Sequence, residues 1–522
     1  MSFPAEAPRE RPRIYFEVDD FTFPPWIIAP LSDARVLNET RSLKEPRVRD
    51  TERHFKSCRT LVDFDGPGDV DRPANWSQSK RWTIVASTSL MTLIVSFSSS
   101  VWSSTVPQTS AEFHVSQDVS LLGVSLFVLG FGFGPQIFGP ASEIYGRTRP
   151  LWLGMISFCV LQVPLAFVNS ITGALIFRFL AGVCGSAPFS IITGLYVDML
   201  DPVEMGFSMA IYIAAVYCGP ACGPIVGSYL TQSDLGWRST VWITFVAGVI
   251  TTAMAMYATP ETFQPVILRR RAKRLRLATR NFALHALSEE QPIDLQVFVR
   301  KYLTKPLSLF MQEPILVIFT IYMSLAYGIL YLTFVMYPVA FITLRSWPRT
   351  TGSLPFLGLL LGIFIACIVI ALHSHYYIRG KMVARTLRPE DRLPPMIAGS
   401  FLLTGGLFWF GWTSDHHSSW LLQTAAGVPL GCGIILVFMC AIGYLVDVYL
   451  ADANSALAIN TLIRSSVAAA FPIVGQRMFR DLGLRWGVSL LGFISLALLP
   501  FPIVVMIFGE KIRGWSKYAA TP

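Results

Sequence analysis

The chain has 522 residues, of which 53% are hydrophobic and only 14% are charged. Soluble proteins carry about 25% charged residues, so this composition excludes a large soluble domain and predicts an integral membrane protein. The formal net charge of +9 does not indicate nucleic-acid binding. The basic residues lie in loops between apolar segments, where they act as topology signals facing anionic lipid.

Residues 1–80 are polar and rich in proline and in charge. They lack the basic start and the apolar core of a cleavable signal peptide. A segment of this composition buries too little apolar surface to fold alone. We therefore expect residues 1–80 to form a disordered tail on the cytoplasmic side.

Twelve apolar segments follow, each near the roughly 20 residues that a membrane-spanning helix needs. Their approximate bounds are 82–106, 120–141, 149–168, 172–197, 206–230, 238–259, 314–342, 350–376, 394–413, 419–446, 454–478 and 486–508. The sequence therefore predicts an all-α membrane protein with twelve transmembrane helices.

Lysine and arginine concentrate in alternate connections between these segments. The longest connection carries RRRAKRLR at 269–276, and further basic residues follow the eighth and the twelfth segments. The first connection on the other side contains Glu112 and Asp118 and no lysine or arginine. By the positive-inside rule, we expect both termini to be cytoplasmic. We expect the plasma membrane as the location, with an internal membrane such as that of the vacuole as the alternative.

The longest connection divides the chain into six segments plus six. The expected parts are a tail (1–80), an N-terminal six-helix half (81–259), a basic cytoplasmic linker (260–313), a C-terminal six-helix half (314–509) and a second cytoplasmic tail (510–522). Two segments in equivalent positions share the spacing G-x11-G-x3-D. The matching residues are Gly182, Gly194 and Asp198 in the fourth segment and Gly431, Gly443 and Asp447 in the tenth. Because both copies fall at an expected cytoplasmic helix end, we interpret the halves as a pseudo-symmetric repeat.

The stretch GFGFGPQIFGPASEIYGRTRPL, residues 130–151, passes from a glycine-rich apolar helix to a tight charged turn and back to an apolar segment. Gly139, Glu143, Gly146, Arg147 and Leu151 follow the spacing G-x-x-x-D-x-x-G-R-x-x-x-L. This spacing resembles the loop 2–3 signature of the major facilitator superfamily, with glutamate in place of the usual aspartate. The amino-acid sequence of this stretch is similar to that of the fungal drug:proton antiporter branch with twelve spans. This resemblance implies the major facilitator fold.

The fifth segment contains CGPACGPIVGSYL at 218–230. This resembles the span 5 signature of the antiporter branch, G-P-x-x-G-P-x-x-G-G, with Ser228 in place of the last glycine. The matching residues are Gly219, Pro220, Gly223, Pro224 and Gly227. Proline kinks a helix and glycine permits a close neighbour. The resemblance therefore implies a tightly packed helix that seals one side of a substrate cavity and favours export.

Charged residues inside apolar segments are costly and suggest function. Arg178 lies near the start of the fourth segment, in the sequence RFLAGVCGS. The resemblance implies a role for it in proton coupling. Its permanent positive charge can lower the pKa of a nearby carboxylate or orient a substrate dipole. The alternative is an arginine that extends to the membrane interface without a functional role.

Asp198 and Asp447 close the fourth and tenth segments on the expected cytoplasmic side. We predict Arg147 as the partner of Asp198. By pseudo-symmetry, a basic residue of the loop after the eighth segment, such as Arg379 or Arg385, is predicted to pair with Asp447. Such pairs would hold the cytoplasmic ends together in one conformation and break in another. The alternative is interfacial capping without gating.

Two further polar positions involve the eleventh segment. Glu143 is predicted to cap its N-terminus, where the helix dipole favours a negative charge. Arg464 lies deep in it, with Asn460 one turn earlier on the same face. We interpret Arg464 and Asn460 as lining a cavity, with an interhelical structural hydrogen bond as the alternative.

Four tyrosines are candidates for contact with a flat organic substrate, because a phenol ring offers a stacking face and a hydroxyl group. They are Tyr212 and Tyr217 in the fifth segment and Tyr327 and Tyr331, one turn apart, in the seventh. The alternative for each is helix packing or a place in the interfacial aromatic belt.

The resemblance implies a secondary active transporter, with proton-coupled efflux of a drug, a polyamine or a secondary metabolite as the expected activity. A nutrient importer and a non-transporting receptor on the same fold are the alternatives. The sequence contains no phosphate-binding loop, no G-x-S-x-G and no H-E-x-x-H, and its eight cysteines form no metal-binding or disulfide pattern. We therefore expect no enzyme activity, cofactor or metal. The expected partners are a small organic molecule, protons and the surrounding bilayer. We expect the protein to be a monomer.

Overall fold

The computed structural model describes residues 61–66, 68–289, 304–383, 388–415, 418–514, 516 and 518. Within these residues, the regular structure is helical, apart from one isolated β-bridge between Leu61 and His285. Ten of the described helices are long and apolar enough to cross a membrane. The all-α membrane fold predicted from the sequence is confirmed. Residues 1–60 of the expected tail lie outside the described residues.

The N-terminal half contains six long helices. They are α1 (Gln78–Glu112), α2 (Gln117–Tyr145), α3 (Thr148–Phe167), α4 (Ile171–Met199, interrupted at Ser186), α5 (Pro202–Leu230) and α6 (Arg238–Ala258). Three of them begin at a serine whose side chain accepts a backbone N–H of the first turn, namely Ser77, Ser116 and Ser170. Such caps satisfy donors that a helix start leaves open, so polar serines fix where these apolar helices begin.

Two shorter helices, α7 (Gln264–Thr279) and α8 (Lys305–Gln312), lie in the connection between the halves. Residues just before α1 pack on α7. Val62 donates its backbone N–H to the carbonyl of His285 at 2.8 Å, and Arg271 of α7 pairs with Asp65 and, at 2.5 Å, with Asp69. Backbone N–H groups of Asp65 and Asp71, together with Arg271, lower the pKa of Asp69 to about 2. The described end of the expected disordered tail therefore has defined contacts with the linker.

The C-terminal half contains α9 (Pro314–Tyr337), α10 (Arg349–Lys381), α11 (Pro394–Trp412), α12 (Trp420–Tyr449), α13 (Ala453–Leu498) and α14 (Pro500–Arg513). The 61-residue stretch Ala453–Arg513 is one of the ten candidate spans, but it is broken at Gly483, which has a φ of 71°. α11 has 19 residues and is not among the ten. Counting α11 and two passes in Ala453–Arg513 gives the twelve predicted spans.

The repeated G-x11-G-x3-D motif has a structural counterpart in each half. A Cβ atom on Gly182 of α4 would lie 2.2 Å from the carbonyl oxygen of Phe127 in α2. A Cβ atom on Gly431 of α12 would lie 2.4 Å from the carbonyl oxygen of Leu359 in α10. The backbones of α4 and α2 therefore approach as closely as those of α12 and α10, and only glycine permits both contacts.

Candidate functional site

The end of the bundle that carries the α2–α3 turn and α7 is called the linker end. There, the Arg147 Nε lies 3.1 Å from the Asp198 Oδ2 at the end of α4, the pair predicted from the sequence. Glu261, just after α6, accepts the backbone N–H of Arg147 at 2.8 Å and the hydroxyl of Thr148 at 2.7 Å. Both carboxylates are largely buried, so the turn is held by a compact charged network.

Glu261 was not among the residues predicted from the sequence. It lies in the sequence TPETF at 259–263, directly after the sixth apolar segment and before the basic stretch at 269–276. A carboxylate placed between a membrane span and a cluster of cations is the signal that would have indicated it. Its position also explains Gly146, which has a φ of 92° and whose Cβ would lie 2.4 Å from the Glu261 Oε2.

The C-terminal half has an equivalent pair, but its cation differs from the prediction. Asp447 at the end of α12 pairs with Arg392, which is a basic residue of the predicted loop, so the suggestion of Arg379 was wrong. Arg379 is exposed on α10, and Arg385 lies outside the described residues. Arg392 is instead turned toward Asp447 by the short 3-10 helix Pro389–Arg392 that leads into α11.

Glycine makes room for the arginine in both pairs. A Cβ on Gly194 would lie 2.7 Å from the Arg147 Cζ, and a Cβ on Gly443 would lie 2.7 Å from the Arg392 Cδ. In both halves the arginine also lies three residues before a proline in the first turn of the next helix. These prolines are Pro150 in α3 and Pro395 in α11. This shared R-x-x-P spacing is the sequence signal that would have identified Arg392.

Glu143 lies beside the start of α13. Asn454, the second residue of that helix, donates its side-chain amide to the Glu143 Oε1 at 3.3 Å. One turn deeper along the same interface, the Gln136 side chain donates to the carbonyl oxygen of Ala458 at 2.9 Å. Helix α2 of one half and α13 of the other are therefore joined at the linker end.

The opposite end of the bundle, where α1 and α2 are connected, is called the far end. Ser228 near the end of α5 lies there, and its Oγ is 2.7 Å from the Oγ of Ser353 at the start of α10. Ser228 is the one departure from the span 5 signature, and its hydroxyl forms a hydrogen bond between the halves. The halves are thus in contact at both ends.

The glycines of the span 5 motif pack α5 against α1. Cβ atoms on Gly219, Gly223 and Gly227 would lie 2.7 Å from the Leu93 carbonyl oxygen, 2.8 Å from the Val101 backbone nitrogen and 2.2 Å from the Ser104 Oγ, respectively. The helix continues through both motif prolines, Pro220 and Pro224. The motif therefore forms a close helix–helix seam between α5 and α1 over residues 219–227.

Arg178 is 2% exposed, so it does not extend to the membrane interface. Its guanidinium donates to the carbonyl oxygens of Ser98 at 2.9 Å, Gly123 at 3.0 Å and Ser99 at 3.3 Å. The ring of Phe127 lies 4.2 Å away. Among the described residues, no carboxylate pairs with Arg178, and its charge is satisfied by backbone oxygens of α1 and α2.

The centre of the interface between the halves is aromatic and contains the cationic side chain of Arg464. The guanidinium of Arg464 in α13 lies 4.5 Å from the ring centroid of Phe438 in α12 and 4.7 Å from that of Tyr327 in α9. Tyr217 of α5 contacts Phe438 at 5.5 Å, and Tyr331 contacts Tyr327 at 5.1 Å. We call Arg464, Tyr217, Tyr327, Tyr331 and Phe438 the central cluster.

The remaining predicted cavity residues border this cluster. Tyr212 lies in electrostatic range of Arg464 and packs edge-on against Tyr196. Asn460 donates its side-chain amide to the Thr320 hydroxyl of α9 at 2.9 Å, which is the interhelical hydrogen bond considered as the alternative. The sequence did not indicate Phe438, because a phenylalanine in an apolar helix carries no distinguishing pattern.

A polytopic membrane protein made of two repeated halves, with ion pairs at the linker end and a partly buried cationic centre between the halves, has the architecture of a secondary transporter. The family model of the Major Facilitator Superfamily matches residues 88–472. The chain belongs to this superfamily, as predicted from the α2–α3 turn, and it is a transmembrane transporter.

Relatives extend over nearly the whole chain. It is 44% identical over 460 residues to the citrinin biosynthesis cluster MFS transporter of Monascus ruber, covering 88% of this chain and 92% of that one. It is also 44% identical over 462 residues to the ascochitine biosynthesis cluster MFS transporter of Didymella fabae, covering 88% and 89%. The solved structure of the proton:xylose symporter XylE matches with a TM-score of 0.60 at 14% identity, over 84% of this chain and 96% of that one.

Proposed function

We propose that the protein is a proton-coupled exporter that moves a small organic secondary metabolite out of the cell across the plasma membrane. The relatives from citrinin and ascochitine clusters support a metabolite as the substrate. The span 5 signature supports export, because the resemblance assigns it to the antiporter branch. We also propose that both termini lie in the cytoplasm, since the basic helix α7 lies at the linker end. The protein is further proposed to act as a monomer.

The central cluster carries this proposal. It draws on α5 of one half and on α9, α12 and α13 of the other. A ligand bound there contacts both halves, so its binding is coupled to their relative position. Motion of the halves about such a ligand would expose it first to one side of the membrane and then to the other.

The ion pairs at the linker end supply a route for coupling. Protonation of Asp198 would neutralise its carboxylate and remove the attraction to Arg147, which lies 3.1 Å away. Asp447 and Arg392 form the matching pair in the other half. Proton uptake at Asp198 and Asp447 would therefore weaken these two ion pairs and favour opening of the bundle at the linker end.

The test begins with the substrate. Metabolites that accumulate in cells lacking the gene, relative to cells that carry it, identify the compound, and purified protein in proteoliposomes is then assayed for its transport. We expect uphill movement when a pH gradient is imposed and collapse of that movement with a protonophore. Movement of substrate in the same direction as protons would indicate an importer. A complete absence of flux would contradict a transport function for the purified chain.

A further inference from the structure

Arg464 has no counter-ion in the part of the chain that the structure describes. It forms no ion pair there, and its Nε is buried without a hydrogen-bond partner. The rings of Tyr327 and Phe438 are its contacts, at 4.7 and 4.5 Å. An unneutralised charge at membrane depth is costly, and ring faces compensate for only part of that cost. Among the described residues, nothing supplies the anionic partner that this charge needs.

The surrounding side chains also leave polar capacity unused. The Tyr217 hydroxyl is buried and has no hydrogen-bond partner among the described residues, and neither has the Oγ of Ser465, the neighbour of Arg464. Tyr217 contacts Phe438, which lies directly against the guanidinium. A donor hydroxyl and a guanidinium thus border the same aromatic surface.

The three ring systems limit the shape of a partner. Tyr327 and Phe438 stack with an interplanar angle of 28°, and Tyr217 meets Phe438 edge-on at 75°. Flat ring faces favour planar aromatic ligands. A ligand cation would be repelled by Arg464, whereas a carboxylate would accept two parallel hydrogen bonds from its planar fork of donors.

We propose that the substrate class is a planar aromatic carboxylate, which binds with its acid on Arg464 and its ring against Tyr217, Tyr327 and Phe438. This inference rests on the proposed function, because it assigns the ligand of the same central cluster. The Tyr217 hydroxyl donates a further hydrogen bond to the bound acid. The cluster then gains the negative charge that the described residues do not provide.

Equilibrium binding to the purified full-length protein tests the assignment without any gradient. The probes are planar aromatic acids, including 2-naphthoate and anthracene-9-carboxylate, each paired with its methyl ester. We expect acids to raise the melting temperature and to bind about 30-fold more tightly than their esters, which corresponds to about 2 kcal/mol. Esters or aromatic amines that bind as well as the acids would overturn the proposal, and so would a panel in which no acid binds.

Variants locate the discrimination. Arg464→Gln should abolish the preference for acid over ester, Arg464→Lys should retain part of it, and Tyr217→Phe should weaken the acid more than the ester. The matched control is Arg485→Gln, because Arg485 also lies over a ring, 3.7 Å from that of Trp412, and also has a buried Nε without a partner. It should keep the full preference. If Arg464→Gln fails to fold, Arg464→Lys and Tyr217→Phe decide the question, and an unchanged preference in both overturns it.

This design separates the two proposals. Acid-selective binding that depends on Arg464, without any flux driven by a pH gradient, would contradict the proton-coupled export and leave the substrate class standing. Flux that a pH gradient drives, with equal binding of acids and esters, would contradict the substrate class alone.

Discussion

Arg178 is held by oxygen atoms that neither take up nor release a proton at physiological pH. Three backbone carbonyls from α1 and α2 surround its guanidinium, so its direct effect is to fix α4 against its two neighbours. A role in coupling would have to act through this packing or through the bound substrate, because no carboxylate pairs with it among the described residues.

The first prediction follows from that geometry. Arg178→Lys keeps the charge, but a single ammonium cannot reach carbonyls on two helices as a planar fork does. We expect the free energy of unfolding to fall by about 2 kcal/mol, the typical value of one hydrogen bond to a charged group, and gradient-driven transport to be lost. Thermal unfolding and efflux with and without protonophore measure both. A lysine variant with unchanged stability and full uphill transport would show that the three carbonyl contacts are dispensable.

The second prediction concerns the linker-end pairs. Arg147→Ala and Asp198→Ala should each reduce transport at near-normal protein level, and the double variant should be no worse than either, because paired residues are non-additive. Arg392→Ala and Asp447→Ala should behave in the same way in the other half. The measurement is the initial rate of flux per molecule of reconstituted protein. Losses that multiply within a pair would indicate that its members act separately.

At the scale of single residues, the sequence predicted at which end of the bundle the charged residues lie, but it did not predict every ion-pair partner. Arg147 and Asp198 could be paired because the signature turn places the arginine at the end of α2. Loop charge alone does not decide which cation turns inward, and so Arg379 was preferred to Arg392. The space beside Gly443 and the turn Pro389–Arg392 make that selection, and both depend on the folded backbone.

The seam between α5 and α1 leads to a prediction at the scale of elements. Gly223→Ala would place a Cβ 1.9 Å from the Ser100 Oγ and 2.8 Å from the Val101 backbone nitrogen, so the two helices must separate. Overpacking of this kind costs about 1–3 kcal/mol, and we expect a lower melting temperature with reduced transport. Gly405→Ala is the control, because its Cβ would meet nothing within 4 Å. Equal stability of the two variants would mean that the seam is loose.

Hydropathy located the long apolar helices to within about six residues at each end, since a helix must be long enough to cross the bilayer, but it did not indicate α7 and α8 in the linker. It did not indicate the interruption of α4 at Ser186 or the π-helical turns at Pro338–Thr343 and His373–Ile378. These features change the hydrogen-bond register without changing apolarity. Four of the described helices begin at a capping serine, a residue that marks a boundary only when the folded chain uses it as a cap.

At the scale of the whole molecule, the sequence predicted two related halves from one repeated motif. The contacts that join the halves could not be predicted, because they depend on how two helical surfaces meet. Gln136 with Ala458 and Glu143 with Asn454 join them at the linker end, and Ser228 with Ser353 joins them at the far end. Alternating access requires each of these ends to open in turn.

The last prediction tests that requirement at the far end. Ser228 and Ser353 have hydroxyls 2.7 Å apart, so the double variant Ser228→Cys with Ser353→Cys should form a disulfide under a mild oxidant. We expect oxidation to stop transport and a reductant to restore it, while each single variant keeps its activity under oxidant and so controls for the native cysteines. Because a transporter of this class must separate its halves at both ends in turn, a cross-linked protein that still moves substrate would show that the far-end contact does not open during the cycle.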